Sequence, residues 1–205
     1  MTYYVGVDIG GTFTDFVSFN IENNSITAWK NPSTPADPFD GVMNGLRNMR
    51  DLGAVSRLRL GTTIATNAIL QRSGAKVAYI TTKGFRDIPF IQHGNRKSHY
   101  DMTWIKAKPL AMRRHCYELD ERLDKNGDVV TPLNDNEVRA LARKIGNEGE
   151  VEAVAVNFLF SYINPSHELR VKKIFAEELP NMPLSISYEV LPKWKEYERA
   201  STTLA

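Results

Sequence analysis

The sequence contains very little cysteine, because Cys116 is the only one among 205 residues. A single thiol cannot form an intrachain disulfide, and scarce cysteine is typical of proteins from reducing compartments. Because Cys116 falls in a strand-like run, we expect it to have a structural role rather than to act as a nucleophile.

Long apolar runs are also missing. No stretch approaches the roughly 20 apolar residues that a membrane-spanning helix needs, and the first four residues lack the basic start of a signal peptide. The sequence therefore predicts a cytoplasmic protein that has no membrane partner.

Neither sign of charge is in strong excess. The 26 Lys and Arg residues against 24 Asp and Glu residues give a net charge of +2 at pH 7. This balance does not indicate a surface for nucleic acid or for an anionic membrane. Hydrophobic residues make up 42% and charged residues 24%, which is typical of a globular domain with a sizeable core.

Two widespread nucleotide-binding motifs do not occur. Without G-x-x-x-x-G-K-[ST], P-loop chemistry is disfavoured. Without G-x-G-x-x-G, and with glycines that precede a strand rather than a helix, dinucleotide binding is disfavoured as well.

The stretch from Val5 to Asp15 is the most informative part of the chain. Residues 3–9 form a short apolar, β-branched run that predicts a buried strand, and residues 13–19 predict a second one. Gly10 and Gly11 between them predict a two-residue hairpin turn, in which glycine adopts positive φ at little cost.

The tip of this hairpin carries the groups that phosphate binding needs. Glycines let backbone N–H groups approach phosphate oxygens, and hydroxyls add uncharged donors. Asp8 would repel a bare phosphate but suits Mg²⁺ (or Mn²⁺), which one or two carboxylates, waters and substrate phosphates hold together. We expect Asp8 to hold the metal, through water, and the loop from Gly10 to Thr14 to hold the β- and γ-phosphates of a nucleotide. The predicted nucleotide-binding residues here are Gly10, Gly11, Thr12, Phe13, Thr14 and Asp15.

The assignment of a nucleotide site to this hairpin has one alternative and one weaker member. The alternative is an ordinary hairpin with a Gly-Gly turn, in which Asp8 caps a backbone amine. Asp15 is the weaker candidate, because it alternates with Phe13 and Val17 on a face that we expect to be buried, where a carboxylate requires a partner.

A second candidate anion site follows a predicted strand at residues 57–60. A strand-to-helix turn with Thr62 and Thr63 has free N–H groups and hydroxyl donors. Either threonine could instead be the N-cap of the helix that runs to Arg72, and both interpretations remain open.

Residues typical of helix starts and turns predict further elements. Asp37 followed by Pro38 predicts a helix start, with Asp as N-cap and Pro at the first helical position. The Asn126-Gly127 pair predicts a β-hairpin. His93 and His99 could ligate a metal, but their six-residue spacing does not match a common metal motif. Because polar loops on a rigid scaffold often carry binding groups, a substrate-facing or lid loop is the preferred interpretation.

The segment Val7-Asp8-Ile9-Gly10-Gly11-Thr12-Phe13-Thr14-Asp15 resembles the opening of the hydantoinase / 5-oxoprolinase family, which includes the ATP-dependent acetone and acetophenone carboxylases. Further similar segments are residues 61–70, 81–88, His167-Glu168, 187–192 and 196–203. The chain departs from the family's commoner pattern at Lys97-Ser98-His99, at Tyr188 and at Ala200, which leaves the substrate open.

The resemblance implies an ATP-dependent enzyme that phosphorylates a poorly reactive carbonyl oxygen. The substrate would be a cyclic amide before ring-opening hydrolysis, or a ketone such as acetone or acetophenone before carboxylation. Asp8 would be the catalytic and metal-facing residue. The resemblance also implies a partner subunit of the hydantoinase B type and a hetero- or homo-oligomer. The alternatives are a small-molecule kinase and a non-catalytic nucleotide-binding regulatory module.

The order of elements predicts an α/β fold. Its mixed sheet begins with a three-strand antiparallel meander and has helices on both faces. By resemblance this is half of an actin-like, ribonuclease H-like ATPase. We expect residues 1–190 to be the ATPase-like domain and residues 191–205 to be the truncated start of the next one, since the final helix-like run lacks a stop signal. By resemblance the adenosine half of the site lies on a second repeat, so we expect the chain alone to bind ATP weakly and to turn over nothing.

Overall fold

The computed structural model describes residues 2–34, 37–49, 51–95, 98 and 100–205. The chain folds into two compact units, residues 1–74 and 75–205. Each unit is described by itself below. None of the helices in these described ranges is long and apolar enough to cross a bilayer.

The first unit is built on a four-stranded mixed sheet with the strand order β3-β2-β1-β4. Its elements are β1 (Tyr3–Ile9), β2 (Phe13–Asn20), β3 (Ile26–Pro32), α1 (Pro38–Leu46), β4 (Val55–Thr62) and α2 (Ile64–Gln71). Strands β1, β2 and β3 pair antiparallel, whereas β4 runs parallel to β1. The expected antiparallel meander is therefore confirmed.

Helix α1 covers one face of this sheet. The Asp37 carboxylate accepts a hydrogen bond from the Phe39 N–H at 2.9 Å, so the expected N-cap is formed. Phe16, only 1% exposed, stacks on Trp29 with ring centroids 5.2 Å apart. The Trp29 indole donates to the Gly45 carbonyl at 3.0 Å, which fixes the helix on the sheet.

The expected burial of Asp15 is wrong. Phe13 and Val17 are 46% and 45% exposed, and Asp15 on the same face is exposed too. The buried face of β2 is the other one, which carries Thr14 and Phe16, because α1 packs there. Alternation along a strand fixes which residues share a face but not which face the helix covers.

The second unit contains a four-stranded sheet with the order β10-β9-β5-β6, in which all strands are parallel, and the separate hairpin β7-β8. Its first elements are β5 (Val77–Thr82), α3 (Ile88–Ile91), β6 (Cys116–Leu119), β7 (Arg122–Leu123) and β8 (Val129–Thr131). The remaining ones are α4 (Asp135–Glu148), β9 (Ala153–Asn157), α5 (Ser166–Glu178), β10 (Leu184–Ile186), α6 (Ser187–Val190) and α7 (Glu196–Leu204).

Helices cover both faces of the parallel sheet in this unit. Ile80 and Val156 belong to the core that α4 and α5 complete. Tyr79 lies in the opposite core, together with Ala200 and Leu204 of α7. The predicted α/β class is confirmed, although the strands divide between two four-stranded sheets and the separate β7-β8 hairpin.

Cys116 has the structural environment expected of it. The residue is buried at the start of β6, and burial raises the pKa of its thiol to about 11. The thiol therefore stays protonated at neutral pH, which does not suit a nucleophile.

Helix α7 is tied to the sheet by a fully buried arginine. The Arg199 guanidinium donates to the Asn157 side chain at 3.0 Å and to the Phe158 carbonyl at 2.6 Å, and it pairs with Glu196. Charge-assisted hydrogen bonds of this kind satisfy a charge that would otherwise be costly to bury. The domain boundary expected at residue 190 stays a prediction.

A buried carboxylate lies next to this arginine network. Glu168 accepts hydrogen bonds from the Phe158 N–H at 2.9 Å, the Ser187 hydroxyl at 2.7 Å and the Tyr188 N–H at 2.9 Å. Despite these donors, burial raises the pKa of the Glu168 carboxyl above its ordinary value.

Substituting Gly45 tests the packing of α1. A Cβ atom at Gly45 would lie 2.0 Å from Phe16 Cζ, and the stacked ring cannot move away freely. We expect Gly45→Ala to lower the free energy of unfolding by about 1–3 kcal/mol, measured by urea denaturation. The exposed neighbour change Asn44→Ala should stay within about 0.5 kcal/mol. Equal stability of Gly45→Ala and the wild type would contradict this packing.

The buried carboxylate generates a pH prediction. Because the folded state holds the Glu168 proton more tightly than the unfolded state, the free energy of unfolding should fall as pH rises above the ordinary glutamate pKa. In Glu168→Gln this decline should be shallower, measured by urea denaturation at several pH values between about 4.5 and 7.5. The exposed change Glu189→Gln should keep the wild-type slope. Identical slopes for all three proteins would show that Glu168 does not titrate as described.

Candidate functional site

The β1–β2 connection is a tight loop of Gly10, Gly11 and Thr12. The strands pair up to Ile9 and Thr14, and the Gly10 N–H donates to the Phe13 carbonyl at 3.0 Å. The loop is one residue longer than the predicted two-residue turn, and neither glycine has positive φ. Gly10 is needed for another reason, since a Cβ there would lie 2.8 Å from the Phe13 carbonyl oxygen.

The outer side of this loop presents backbone donors. Within the described part of the chain, the exposed N–H groups of Gly11 and Thr12 have no hydrogen-bond acceptor. A Cβ atom at Gly11 would meet nothing within 4 Å, so the space beside the loop is open. Neighbouring free N–H groups in a short loop are the arrangement that attracts an anion.

Ser33 supports the loop from behind. Its hydroxyl donates to the Gly10 carbonyl at 2.8 Å and lies 3.0 Å from the Thr14 hydroxyl, while its N–H donates to the Thr12 carbonyl at 2.9 Å. Thr14 is fully buried, so its hydroxyl holds the loop in place. Sequence reasoning missed Ser33, and its only signal was a hydroxyl residue directly after a strand.

Asp8 lies beside the loop on the face opposite to α1. It is paired in register with Asp15 of β2 and with Gly61 of β4. The Asp15 carboxylate is 3.4 Å from the Lys30 ammonium, in an exposed ion pair. The Asp8 carboxylate is exposed and has no ion-pair or hydrogen-bond partner among the described residues, so its oxygens are accessible to a cation.

A cation at Asp8 would need ligands beyond the protein. In the part of the chain that the structure describes, no three His, Cys, Asp or Glu side chains converge into a metal-binding group. Mg²⁺ commonly keeps several waters and binds through one carboxylate plus phosphate oxygens. Asp8 therefore fits this mode better than an all-protein metal site.

The β4–α2 connection uses its threonines locally. The Thr62 hydroxyl accepts from the Ile64 N–H at 3.2 Å and donates to the Ile9 carbonyl at 3.2 Å. The Thr63 hydroxyl accepts from the Asn67 amide at 3.3 Å. Thr63 is the N-cap of α2 but its side chain makes no capping hydrogen bond, whereas the preceding Thr62 binds the first helical N–H group. Anion binding by either residue stays a prediction.

A cleft of about 230 Å³ in the first unit brings the two segments together. Gly10, Gly11 and Ser33 form part of one side, and Ile64, Asn67 and Gln71 form part of the other. Among the described residues that line the cleft, no side chain is charged. Asn67 and Gln71 lie one helical turn apart on α2, and this spacing is the signal that sequence reasoning missed.

The proposed histidine pair is only half described. The His93 ring packs edge-on against Tyr197, with centroids 4.9 Å apart, and its Nε2 is 3.7 Å from a Glu198 oxygen. His99, like Arg96 and Lys97 of the same loop, lies outside the described residues. A metal site there stays untested.

His167 has a buried partner. Its Nδ1 is 2.6 Å from the carboxylate of Glu121, which also accepts a hydrogen bond from Thr82. These contacts join the start of α5 to the ends of β5 and β6, and a structural role follows from them.

Comparison with protein-family models places the β1–β2 loop inside a known family region. The model of the hydantoinase/oxoprolinase N-terminal region matches residues 4–179. The chain belongs to the hydantoinase/oxoprolinase family. The matched range includes Asp8, the β1–β2 loop and the β4–α2 connection, so the features described above lie inside the N-terminal region of the family.

Relatives in this family are longer than the chain. The caprolactamase subunit alpha of Pseudomonas jessenii is 34% identical over 213 residues, covering 98% of this chain and 30% of that protein. The acetophenone carboxylase gamma subunit of Aromatoleum aromaticum is 33% identical over 222 residues, with the same two coverages. The chain therefore spans about 30% of the length of these relatives.

Solved structures share the fold. A nucleotide-free acetone carboxylase superposes with a TM-score of 0.87 at 27% identity, over 99% of this chain and 31% of that chain. The ATP-dependent caprolactamase from Pseudomonas jessenii superposes with a TM-score of 0.80 at 33% identity, over 98% and 30%.

Gly10 and Gly11 of the β1–β2 loop should respond differently to substitution. Gly10→Ala forces a Cβ against the Phe13 carbonyl and should lower the free energy of unfolding by about 1–3 kcal/mol. Gly11→Ala meets open space without positive φ and should change it by less than about 0.5 kcal/mol. Urea denaturation of both variants measures the contrast, and the reverse order of stabilities would refute the loop geometry.

Proposed function

We propose that this chain is the phosphate-binding part of an ATP-dependent enzyme that phosphorylates a carbonyl oxygen of its substrate. The observation that carries the proposal is the pairing of free N–H groups at Gly11 and Thr12 with an accessible carboxylate at Asp8. Donors for an anion and a ligand for a cation lie on one short hairpin, as a metal-bound nucleotide requires.

The residues present fit ATP and Mg²⁺ (or Mn²⁺). The open space at Gly11 leaves room for phosphate oxygens beside the N–H groups, and the described residues that line the adjacent cleft include no carboxylate that would repel them. When bound, the cation supplies neutralisation of the charge that develops during phosphoryl transfer. Asp8 would orient that cation, and the loop would hold the phosphates in a fixed direction.

Rigid support is what the protein contributes most to this chemistry. Phosphoryl transfer depends on positioning and charge stabilisation more than on covalent catalysis. Ser33 restrains Gly10, Thr12 and Thr14 at once, so the donors do not have to reorganise when phosphate arrives. Thr14 is therefore proposed as a positioning residue within the nucleotide-binding set.

The substrate class has two candidates, a cyclic amide and a ketone. One relative is named a caprolactamase and the other an acetophenone carboxylase, and identities of 34% and 33% do not separate them. Both are named as subunits, which supports assembly with a partner subunit for this chain as well, and we propose that this partner is of the hydantoinase B type.

The test is ATP hydrolysis by the protein assembled with its partner subunits. Hydrolysis would be measured alone, with 5-oxoproline or hydantoins, and with acetone or acetophenone plus bicarbonate. Stimulation by a lactam or hydantoin means ring opening, and stimulation by a ketone with bicarbonate means carboxylation. If no compound stimulates hydrolysis while ATP still binds, the proposed carbonyl phosphorylation is wrong.

Asp8 can be tested by an isosteric change. Asp8→Asn keeps the shape but removes the charge that faces the cation, and it should lower Mg²⁺-dependent ATP hydrolysis by about 10–100-fold, as loss of a water-mediated metal contact does. Asp15→Asn should have a smaller effect because Asp15 already pairs with Lys30. Asp40→Asn on α1 is the matched control. Full activity of Asp8→Asn would remove Asp8 from the site.

A further inference from the structure

The outer strand β4 forms one edge of the first sheet. It is the last strand in the order β3-β2-β1-β4, and among the described residues it pairs only with β1. Seven of its eight residues are exposed. Natural proteins often protect an edge strand with proline, lysine or a covering segment, because an open edge pairs readily with another strand. The other edge strand, β3, has Lys30 and Pro32, whereas β4 has neither residue type.

The backbone of β4 offers hydrogen bonds to a further strand. The Thr63 N–H, directly after β4, donates to the Ile9 carbonyl of β1. Successive strand residues direct their backbone groups to opposite sides, so those of Arg59 also face β1. The N–H and C=O groups of Leu58 and Leu60 therefore point outward, and they have no hydrogen-bond partner among the described residues. An extended peptide satisfies such groups by adding to the sheet.

One face of β4 is apolar. In the register with β1, Leu58 lies beside Val5 and Leu60 beside Val7, and both valines belong to the core beneath α1. The two leucines are nonetheless 42% and 60% exposed. Apolar residues of an added strand would continue both rows and remove the leucine side chains from water.

The other face of β4 is basic. Arg57 and Arg59 are exposed, and neither forms an ion pair among the described residues. The Arg57 guanidinium lies 5.1 Å from the centroid of the Tyr4 ring, a contact that leaves its charge open to a carboxylate. The neighbouring strand β1 carries one acid, Asp8, which lies beside Gly61. Acids of an added strand are therefore favoured opposite the two arginines and disfavoured opposite Gly61.

Charge decides between a partner strand and a second copy of this chain. A symmetric pair of β4 strands runs antiparallel. When it is centred on the middle of the strand, Arg57 lies opposite Arg59, or Arg59 lies opposite its own copy, and like charges in these positions are destabilising. We propose that an extended segment of a partner protein adds to β4 as a further strand, with acids opposite the two arginines and apolar residues opposite the two leucines.

A short peptide of this pattern is the probe. Thr-Val-Glu-Val-Glu-Val-Thr with blocked termini would be added to the isotope-labelled chain, and amide hydrogen exchange would be followed by NMR. Near saturation, exchange should slow at least about tenfold at Leu58 and Leu60, whose N–H groups gain an acceptor. Exchange at Arg59 and Gly61 should stay unchanged, because their N–H groups already face β1. Replacing both glutamates of the peptide by glutamine should weaken binding about three- to tenfold, as loss of two exposed ion pairs does.

Variants of the chain connect binding to the arginines. Arg57→Gln and Arg59→Gln should each weaken the glutamate peptide about two- to fivefold and should leave the glutamine peptide unaffected. Arg47→Gln at the end of α1 removes the same charge from another exposed position and should leave both affinities unchanged.

Four results overturn the proposal. They are equal binding of the two peptides, no binding at about 1 mM peptide, binding that leaves exchange at Leu58 and Leu60 unchanged, and an equal loss of affinity in Arg47→Gln and Arg59→Gln. Slower exchange at the two leucines on raising the protein concentration alone also overturns it, because a second copy then occupies the edge. Strand addition at β4 does not require phosphate at the β1–β2 loop, so either proposal can fail alone.

Discussion

The candidate site depends on one serine that restrains a three-residue loop. Ser33 contacts Gly10, Thr12 and Thr14 through its hydroxyl and its N–H. Because the inward-facing groups of the loop are satisfied by Ser33, the N–H groups of Gly11 and Thr12 are left to face outward. A loop without this support would have many conformations, and an anion would have to select one of them at an entropic cost. The proposed phosphate binding is therefore a property of the segment after β3 as much as of the glycine motif.

Hydrogen bonds from buried polar side chains also fix the backbone in the interior of the second unit. Arg199 and Glu168 are both completely buried, yet each has several hydrogen-bond partners at the carboxyl ends of the parallel strands. Such groups contribute little net stability, but removing one partner is costly, so they fix where α6 and α7 must lie.

Local signals in the sequence predicted local structure well. The meander, the Asp37 cap and the hairpin at Asn126-Gly127 all follow from short-range chemistry, and the family follows from motifs spread along the chain. What could not be predicted depends on contacts between distant segments. Three features belong to this group: the exposed position of Asp15, the role of Ser33 and the division of the strands between separate sheets. Each depends on how α1 and the strands pack against segments that are distant in the chain, and a short stretch of sequence does not show that packing.

The central claim is that the β1–β2 loop holds the phosphates while Asp8 faces the metal. The most direct measurement is the NMR spectrum of the protein with Mn²⁺-ATP, because the paramagnetic ion broadens signals of nearby amides. The account predicts that broadening is strongest at Asp8, Gly11 and Thr12. Binding of Mn²⁺-ATP with these three signals unchanged, and with broadening centred elsewhere, would contradict it.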